Sequence, residues 1–149
     1  MPRFENSFVV DQQIDSVWKF YTDIKHLEII TPKKLELKII KCTNPEIILG
    51  QEYWIEGKII MKKIKWHSKI TFFRKHEYTD EMIEGPFKKW IHTHRFSDLG
   101  NMKTKIIDEI EYELPFGLLR KMLNKYSKIQ LEKIFDHRKN ITCLKLNKK

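Results

Sequence analysis

Between Leu35 and Leu114 apolar and polar residues alternate with a period of two, while the flanking segments space their apolar residues for helices. A first strand is predicted over Phe4 to Val10. Behind it, Asp15-Ser16-Val17-Trp18-Lys19-Phe20-Tyr21 reads as a short helix with Asp15 as its N-cap. A second helical turn is predicted from Asp23 to Ile29, closed by Thr31-Pro32. Six strands follow: Leu35 to Lys41, Tyr53 to Ile60, Ile64 to Arg74, Tyr78 to Glu84, Trp90 to Phe96 and Thr104 to Leu114. Asn44-Pro45-Glu46, Gly85-Pro86 and the segment around Asp98-Leu99-Gly100-Asn101 supply turns. Pro115-Phe116-Gly117 breaks the last strand, and a long helix is predicted from Gly117 to about Asn140. Its residues Leu118, Leu119, Met122, Leu123, Tyr126 and Ile129 share one face, and Leu131, Ile134 and Phe135 carry the apolar arc round the axis. A helix crossing a twisted sheet needs such a drift.

The order strand, two short helices, six strands, long helix predicts an α+β helix-grip fold. In it a curved seven-stranded antiparallel sheet wraps one C-terminal helix. A chain of 149 residues suits a single domain over 1–149, with a basic tail from about residue 141. Its hydrophobic share of 41%, with nine Phe, four Trp and five Tyr, is enough for a core without staples.

Composition narrows the function classes. No stretch approaches the roughly 18 apolar residues of a spanning helix, and Met1-Pro2-Arg3-Phe4-Glu5 opens no leader-like apolar region, so a cytoplasmic protein is expected. Cys42 and Cys143 belong to no metal or disulfide spacing. The formal charge of +9 raises contact with nucleic acid or an anionic membrane. Of the 29 basic residues 24 are Lys, scattered over every segment, whereas phosphate and base recognition favours Arg. No specific nucleic-acid partner is therefore expected, and peripheral contact with anionic lipid is kept as a secondary reading.

Candidate chemistry sits on the last two strands. Alternation over Trp90-Ile91-His92-Thr93-His94-Arg95-Phe96 puts Trp90, His92, His94 and Phe96 on one face. On the next strand Ile106, Asp108, Ile110, Tyr112 and Leu114 share the apolar face, and Lys105, Glu109, Glu111 and Glu113 take the other. Asp108 is then an inward carboxylate, which must be paired or hydrogen-bonded. A hairpin turning near Gly100 brings His92 or His94 opposite or diagonal to it, with Tyr112 nearby. Such a cluster serves as a satisfied polar core, a ligand anchor or a tuned acid–base pair. Two imidazoles on one strand face also make half a zinc site, but the third ligand would have to be Asp108 or His67. Alternation turns His67 outward among lysines, so no metal and no cofactor are expected. On the same strand Trp66, Ser68, Ile70 and Phe72 face inward, as core or cavity wall. No Ser-His-Asp or Cys-His nucleophile and no glycine-rich phosphate loop occurs.

Several spaced motifs agree in order with one superfamily. Trp18 within Ile14-Asp15-Ser16-Val17-Trp18, the pair Thr31-Pro32, and Gly85-Pro86-Phe87 followed by Trp90, His92, His94 and Phe96 come first. Asp108, Tyr112 and Leu114-Pro115-Phe116-Gly117 complete the set. The chain thereby resembles the START/pollen-allergen-like (SRPBCC) superfamily, in its ligand-binding and polyketide cyclase/dehydrase-like subgroup, from Phe4 to about Arg138. The resemblance implies an internal cavity for a small hydrophobic or amphipathic molecule such as a lipid, isoprenoid, quinone or polyketide. Beside Trp66, Ser68, Ile70, Phe72, Trp90 and Phe96, the wall would include Leu119, Met122 and Tyr126 of the helix. The alternative it implies is a cyclase or dehydratase using His92, His94, Asp108 and Tyr112. Fold alone does not choose between binding and chemistry.

Overall fold

The computed structural model describes residues 1–59, 61–115 and 117–147. Ile60 and Phe116, which the sequence reading placed in a strand end and in the break before the helix, lie outside them. The elements in chain order are β1 (Arg3–Val10), α1 (Ile14–Thr22), α2 (His26–Ile30), a 3-10 turn (Lys33–Leu35), β2 (Lys38–Cys42), β3 (Glu52–Ile59), β4 (Lys62–Arg74), β5 (Glu77–Glu84), β6 (Lys89–Gly100), β7 (Lys103–Glu113) and α3 (Arg120–Leu146). The strands form one antiparallel sheet in the order β1-β7-β6-β5-β4-β3-β2. This is the expected helix-grip architecture. Among the described residues no helix is long and apolar enough to cross a membrane.

Local chemistry moved several boundaries. Gln13, not Asp15, holds the N-cap position of α1, and Asp15 falls in the first turn, where its charge still meets the positive helix end. Asp23 Oδ1 accepts the Lys25 amide at 3.0 Å, a side-chain turn that delays α2 to His26. Glu36 takes a left-handed φ of 47° behind the 3-10 turn, so β2 begins at Lys38 and not at Leu35. The β6–β7 hairpin is longer than expected, because Asn101 and Met102 both adopt positive φ, 52° and 59°, and close it in two residues.

Two register shifts mark the pairing of β4 with β5, the second between Ile70 and Phe72. A bulge there inverts the alternation. Ser68 and Ile70 point inward as expected, but Phe72 is exposed beneath the Arg74 guanidinium. Phe73 takes its place against the core, its ring 5.6 Å from that of Trp18. The inward assignment of Phe72 is thus corrected.

The long helix differs most from expectation. It begins three residues late and continues through the supposed basic tail to Leu146. Thr142, buried, makes a 3.3 Å hydrogen bond with the Tyr21 hydroxyl, and Asn147 Oδ1 accepts the Asp11 amide, so this segment is docked. The docked face carries Leu131, Phe135 and Thr142, with Leu123 and Ile134 partly buried beside them. Leu118, Leu119, Met122, Tyr126 and Ile129 are exposed, against the expected inward face. Geometry explains it: Met122 and Leu131, like Tyr126 and Phe135, lie nine residues apart, which is two and a half turns and therefore opposite sides. The helix has two apolar arcs, and the contacts of its C-terminal half with α2 and β1 select one.

The core falls into two apolar clusters. One packs Phe8, Val17, Tyr21, Tyr78, Phe96 and Ile106 under α1, and the other packs Phe4, Ile110, Tyr112 and Leu114 against Leu131 and Phe135. Because the bulge puts Phe73 and not Phe72 against the first cluster, Phe73→Ala should destabilise the protein by about 2 kcal/mol. Phe72→Ala should cost less than about 0.5 kcal/mol. Urea unfolding of both variants checks the bulge; the reverse order would place it wrongly.

Candidate functional site

The sheet's inner face supplies the site, because four strands contribute alternate residues to it. β4 presents Trp66, Ser68 and Ile70, and β5 presents Tyr78 and Asp80. β6 presents Trp90, His92, His94 and Phe96, and β7 presents Ile106, Asp108, Ile110 and Tyr112. The pairing puts His92 directly across from Asp80, and His94 directly across from Asp108.

The hydrogen bonds run along the diagonals instead. His92 Nε2 lies 2.9 Å from Asp108 Oδ1, and His94 Nε2 lies 3.0 Å from Asp80 Oδ2. His94 Nδ1 is also 3.2 Å from Asp108 Oδ1, close enough for an ion pair but misaligned for a hydrogen bond, so this buried nitrogen lacks a proper partner. The two imidazole rings overlie each other with centroids 3.7 Å apart. Tyr78 stacks on His94 at 4.3 Å from the first core cluster, and Phe135 meets the edge of His92 at 5.8 Å from the second. The polar quartet therefore fills the seam between the two apolar clusters. All four members are buried.

Electrostatics assigns their charges. Burial opposes ionisation of Asp80 and Asp108, but hydrogen bonds from the histidines and the nearby imidazole charge outweigh it, holding both carboxyls below their usual range. Burial and the neighbouring His94 push His92 down, toward the neutral form. Burial acts the same way on His94, yet its contacts with Asp108 and Asp80 prevail and raise it. The surroundings thus favour the charged form of both carboxyls and of His94, and the neutral form of His92.

Beside the quartet, toward the start of α3, lies an aromatic group. Trp66 and Trp90 meet edge to face at 5.1 Å, Phe87 sits 4.8 Å from Trp90, and Tyr112 lies 5.9 Å from Phe87. Trp66 donates its indole proton to Ser68 Oγ at 2.8 Å, and the Tyr112 hydroxyl reaches the Asn124 carbonyl of α3 at 3.5 Å. Tyr112 is buried, while Trp66, Phe87 and Trp90 are only half-buried. Of the helix, Leu123 packs against the second core cluster, to which Tyr112 belongs and on which Phe87 and Trp90 also pack.

The structure thus brings together His92, His94, Asp108, Tyr112, Trp90, Trp66, Ser68, Ile70 and Phe96 on one face. It places Phe72, Leu119, Met122 and Tyr126 elsewhere. Sequence reading missed Asp80, Phe87 and Leu123. Alternation along Tyr78-Thr79-Asp80 carried the signal for Asp80, since Tyr78 belongs inside. Two grooves found among the described residues both open outward. One, of about 290 Å³, runs between α1 and α2 past Phe20 and His26, and the other, of about 480 Å³, lies between β1 and α3 beside Arg3 and Lys128. Neither borders the quartet.

Because His92 depends on Asp108 for a charge-assisted bond and His94 for a close ion-pair contact, Asp108→Asn should destabilise the protein by about 3 kcal/mol. Chemical denaturation at neutral pH measures this. A loss below about 0.5 kcal/mol, the range of ordinary surface changes, would mean that Asp108 is not the buried partner.

Known proteins give the fold its context. The family model described as polyketide cyclase / dehydrase and lipid transport matches residues 10–137. Among solved structures, the protein TTHA0849 from Thermus thermophilus aligns with a TM-score of 0.72 at 17% identity, covering 94% of this chain and 96% of that one. A START superfamily protein from Mycobacterium smegmatis aligns at 0.73 and 12% identity, with 97% of each chain covered. The Zhui aromatase/cyclase from Streptomyces sp. R1128 aligns at 0.68 and 14% identity, over 95% of this chain and 88% of that one. A search of curated proteins finds no match to the sequence. At these identities the structural neighbours speak for the helix-grip fold, and the family match over most of the chain decides membership: this protein belongs to the polyketide cyclase / dehydrase and lipid transport family.

Proposed function

We propose that the protein binds a small hydrophobic or amphipathic molecule on the aromatic group at the start of α3. The observation that carries this reading is the half-buried state of Trp66, Phe87 and Trp90. These large rings lie beside the second core cluster, against which Phe87, Trp90 and Leu123 of α3 all pack. An apolar ligand placed there would take their remaining surface out of water, at about 25 cal/mol for each Å² buried. Displacing the first turns of α3 would extend the room, because the outer side of those turns makes no core contact. The buried quartet would form the polar floor of the site. Its hydrogen bonds run between its own members, which suits an anchor or a structural floor better than an acid–base pair that must exchange protons with a substrate.

The exposed stripe of Leu119, Met122 and Tyr126, flanked by Lys121, Lys125 and Lys128, fits delivery of the ligand from an anionic bilayer. One titration tests both parts. A fluorescent polyene fatty acid, added to delipidated protein, should saturate a single site with energy transfer from tryptophan. Trp90→Ala should weaken binding roughly tenfold, about 1.4 kcal/mol, while Phe72→Ala leaves it unchanged. Uptake of the same probe should be faster from anionic than from neutral vesicles and slowed by Met122→Glu. Absence of saturation, or equal effects of the two aromatic variants, would refute binding at this group. Equal uptake from both vesicle types would refute the delivery route.

A further inference from the structure

We infer that Asp80, His92 and His94 form a binding site for a divalent first-row transition ion, of which zinc is the simplest. This goes beyond ligand uptake and does not depend on it. The three residues each offer a donor atom within 4.8 Å of the others. Asp80 Oδ2 lies 3.0 Å from His94 Nε2 and 3.8 Å from His92 Nδ1. Zinc holds nitrogen and carboxylate oxygen at about 2.0–2.2 Å, so neighbouring donors of a tetrahedral site sit about 3.3 Å apart. The observed separations bracket that value, and small side-chain movements would close the three groups round an ion.

The outward side of the same rings makes the arrangement specific. Each imidazole directs its other nitrogen at a single atom, Asp108 Oδ1: His92 Nε2 at 2.9 Å and His94 Nδ1 at 3.2 Å. A carboxylate that receives the outer N–H of a ligating histidine fixes both its tautomer and its ring plane. Here one carboxylate serves two histidines, and both present their inner nitrogens to Asp80. Without an ion the cluster must hold two carboxylates beside two overlying rings, with His94 Nδ1 lacking an aligned partner. With a divalent ion the two carboxylates are neutralised while both imidazoles stay uncharged, with Asp108 bonded to the outer nitrogen of His92 and 3.2 Å from that of His94. His67 cannot join the set, because it stacks on Trp54 and bonds to Glu52 away from these residues. Imidazole with carboxylate is a donor set that suits zinc, iron or nickel and not the hard alkaline-earth ions.

Since all three ligands are buried, loading is best done during folding. The full chain is unfolded with chelator, refolded with one equivalent of Zn²⁺ or Co²⁺, and dialysed into metal-free buffer. The expected result is close to one retained ion per chain by elemental analysis, with a visible cobalt band. Asp80→Asn should lower retention at least about tenfold, and His67→Ala should retain the ion. Retention below about 0.1 ion per chain in the wild type, or retention that survives Asp80→Asn, would overturn the assignment. If Asp80→Asn does not fold, zinc-edge X-ray absorption of the refolded wild type decides. A first shell with two imidazoles and no sulfur supports the site, and any other shell overturns it.

Discussion

Two carboxylates buried on the concave face of one sheet set the terms for everything around them. Asp80 and Asp108 are each about 5% exposed or less, in surroundings that are otherwise aromatic and aliphatic. An unpaired buried carboxylate costs several kcal/mol. His92 and His94 lie between the two and bond to one each, so the face tolerates the charge only while β5, β6 and β7 keep their register. A slip of one residue on β6 would turn both imidazoles to solvent and leave the carboxylates alone. The polar quartet therefore specifies the sheet alignment where purely apolar pairs would accept alternatives.

The same seam divides the molecule in two. On one side the first core cluster is closed by α1 and the C-terminal half of α3, with Thr142 and Tyr21 joined across the contact. On the other side the second cluster is closed by Leu131 and Phe135, and beyond them the covering thins toward the start of α3. There the rings of Trp66, Phe87 and Trp90 remain half-buried and the helix turns its Met122 and Tyr126 side to water. Stability is concentrated at one end of the sheet and accessible apolar surface at the other. A binding protein needs that division, because the surface that receives a ligand cannot also be spent on the core.

The element order and most of the inner face were legible in the sequence because strict alternation on β6 and β7 leaves no freedom about which side a residue takes. Trp90, His92, His94, Phe96, Asp108 and Tyr112 all follow from it. What escaped depended on events that alternation does not encode. The bulge near Thr71 exchanged Phe72 for Phe73, and two adjacent phenylalanines give no hint of which one turns inward. The helix carries two apolar arcs, and periodicity alone cannot say which docks when the choice is made by contacts far along the chain. Thr142 and Asn147 dock through hydrogen bonds, so a polar, lysine-rich segment looked like a tail. Asp80 was visible in principle, two residues after an inward Tyr78, but a lone carboxylate in a short strand reads as a surface residue until its histidine partners are placed opposite.

The protonation states of the two buried histidines test this account most directly. Nitrogen-15 NMR of the imidazoles, in chelator-treated protein across a pH titration, resolves each ring separately. The account predicts that His94 stays protonated above the usual histidine value of about 6.5, while His92 remains neutral below it. Two rings that titrate together near that ordinary value, as solvent-exposed imidazoles do, would contradict it and remove the buried quartet from the centre of the fold.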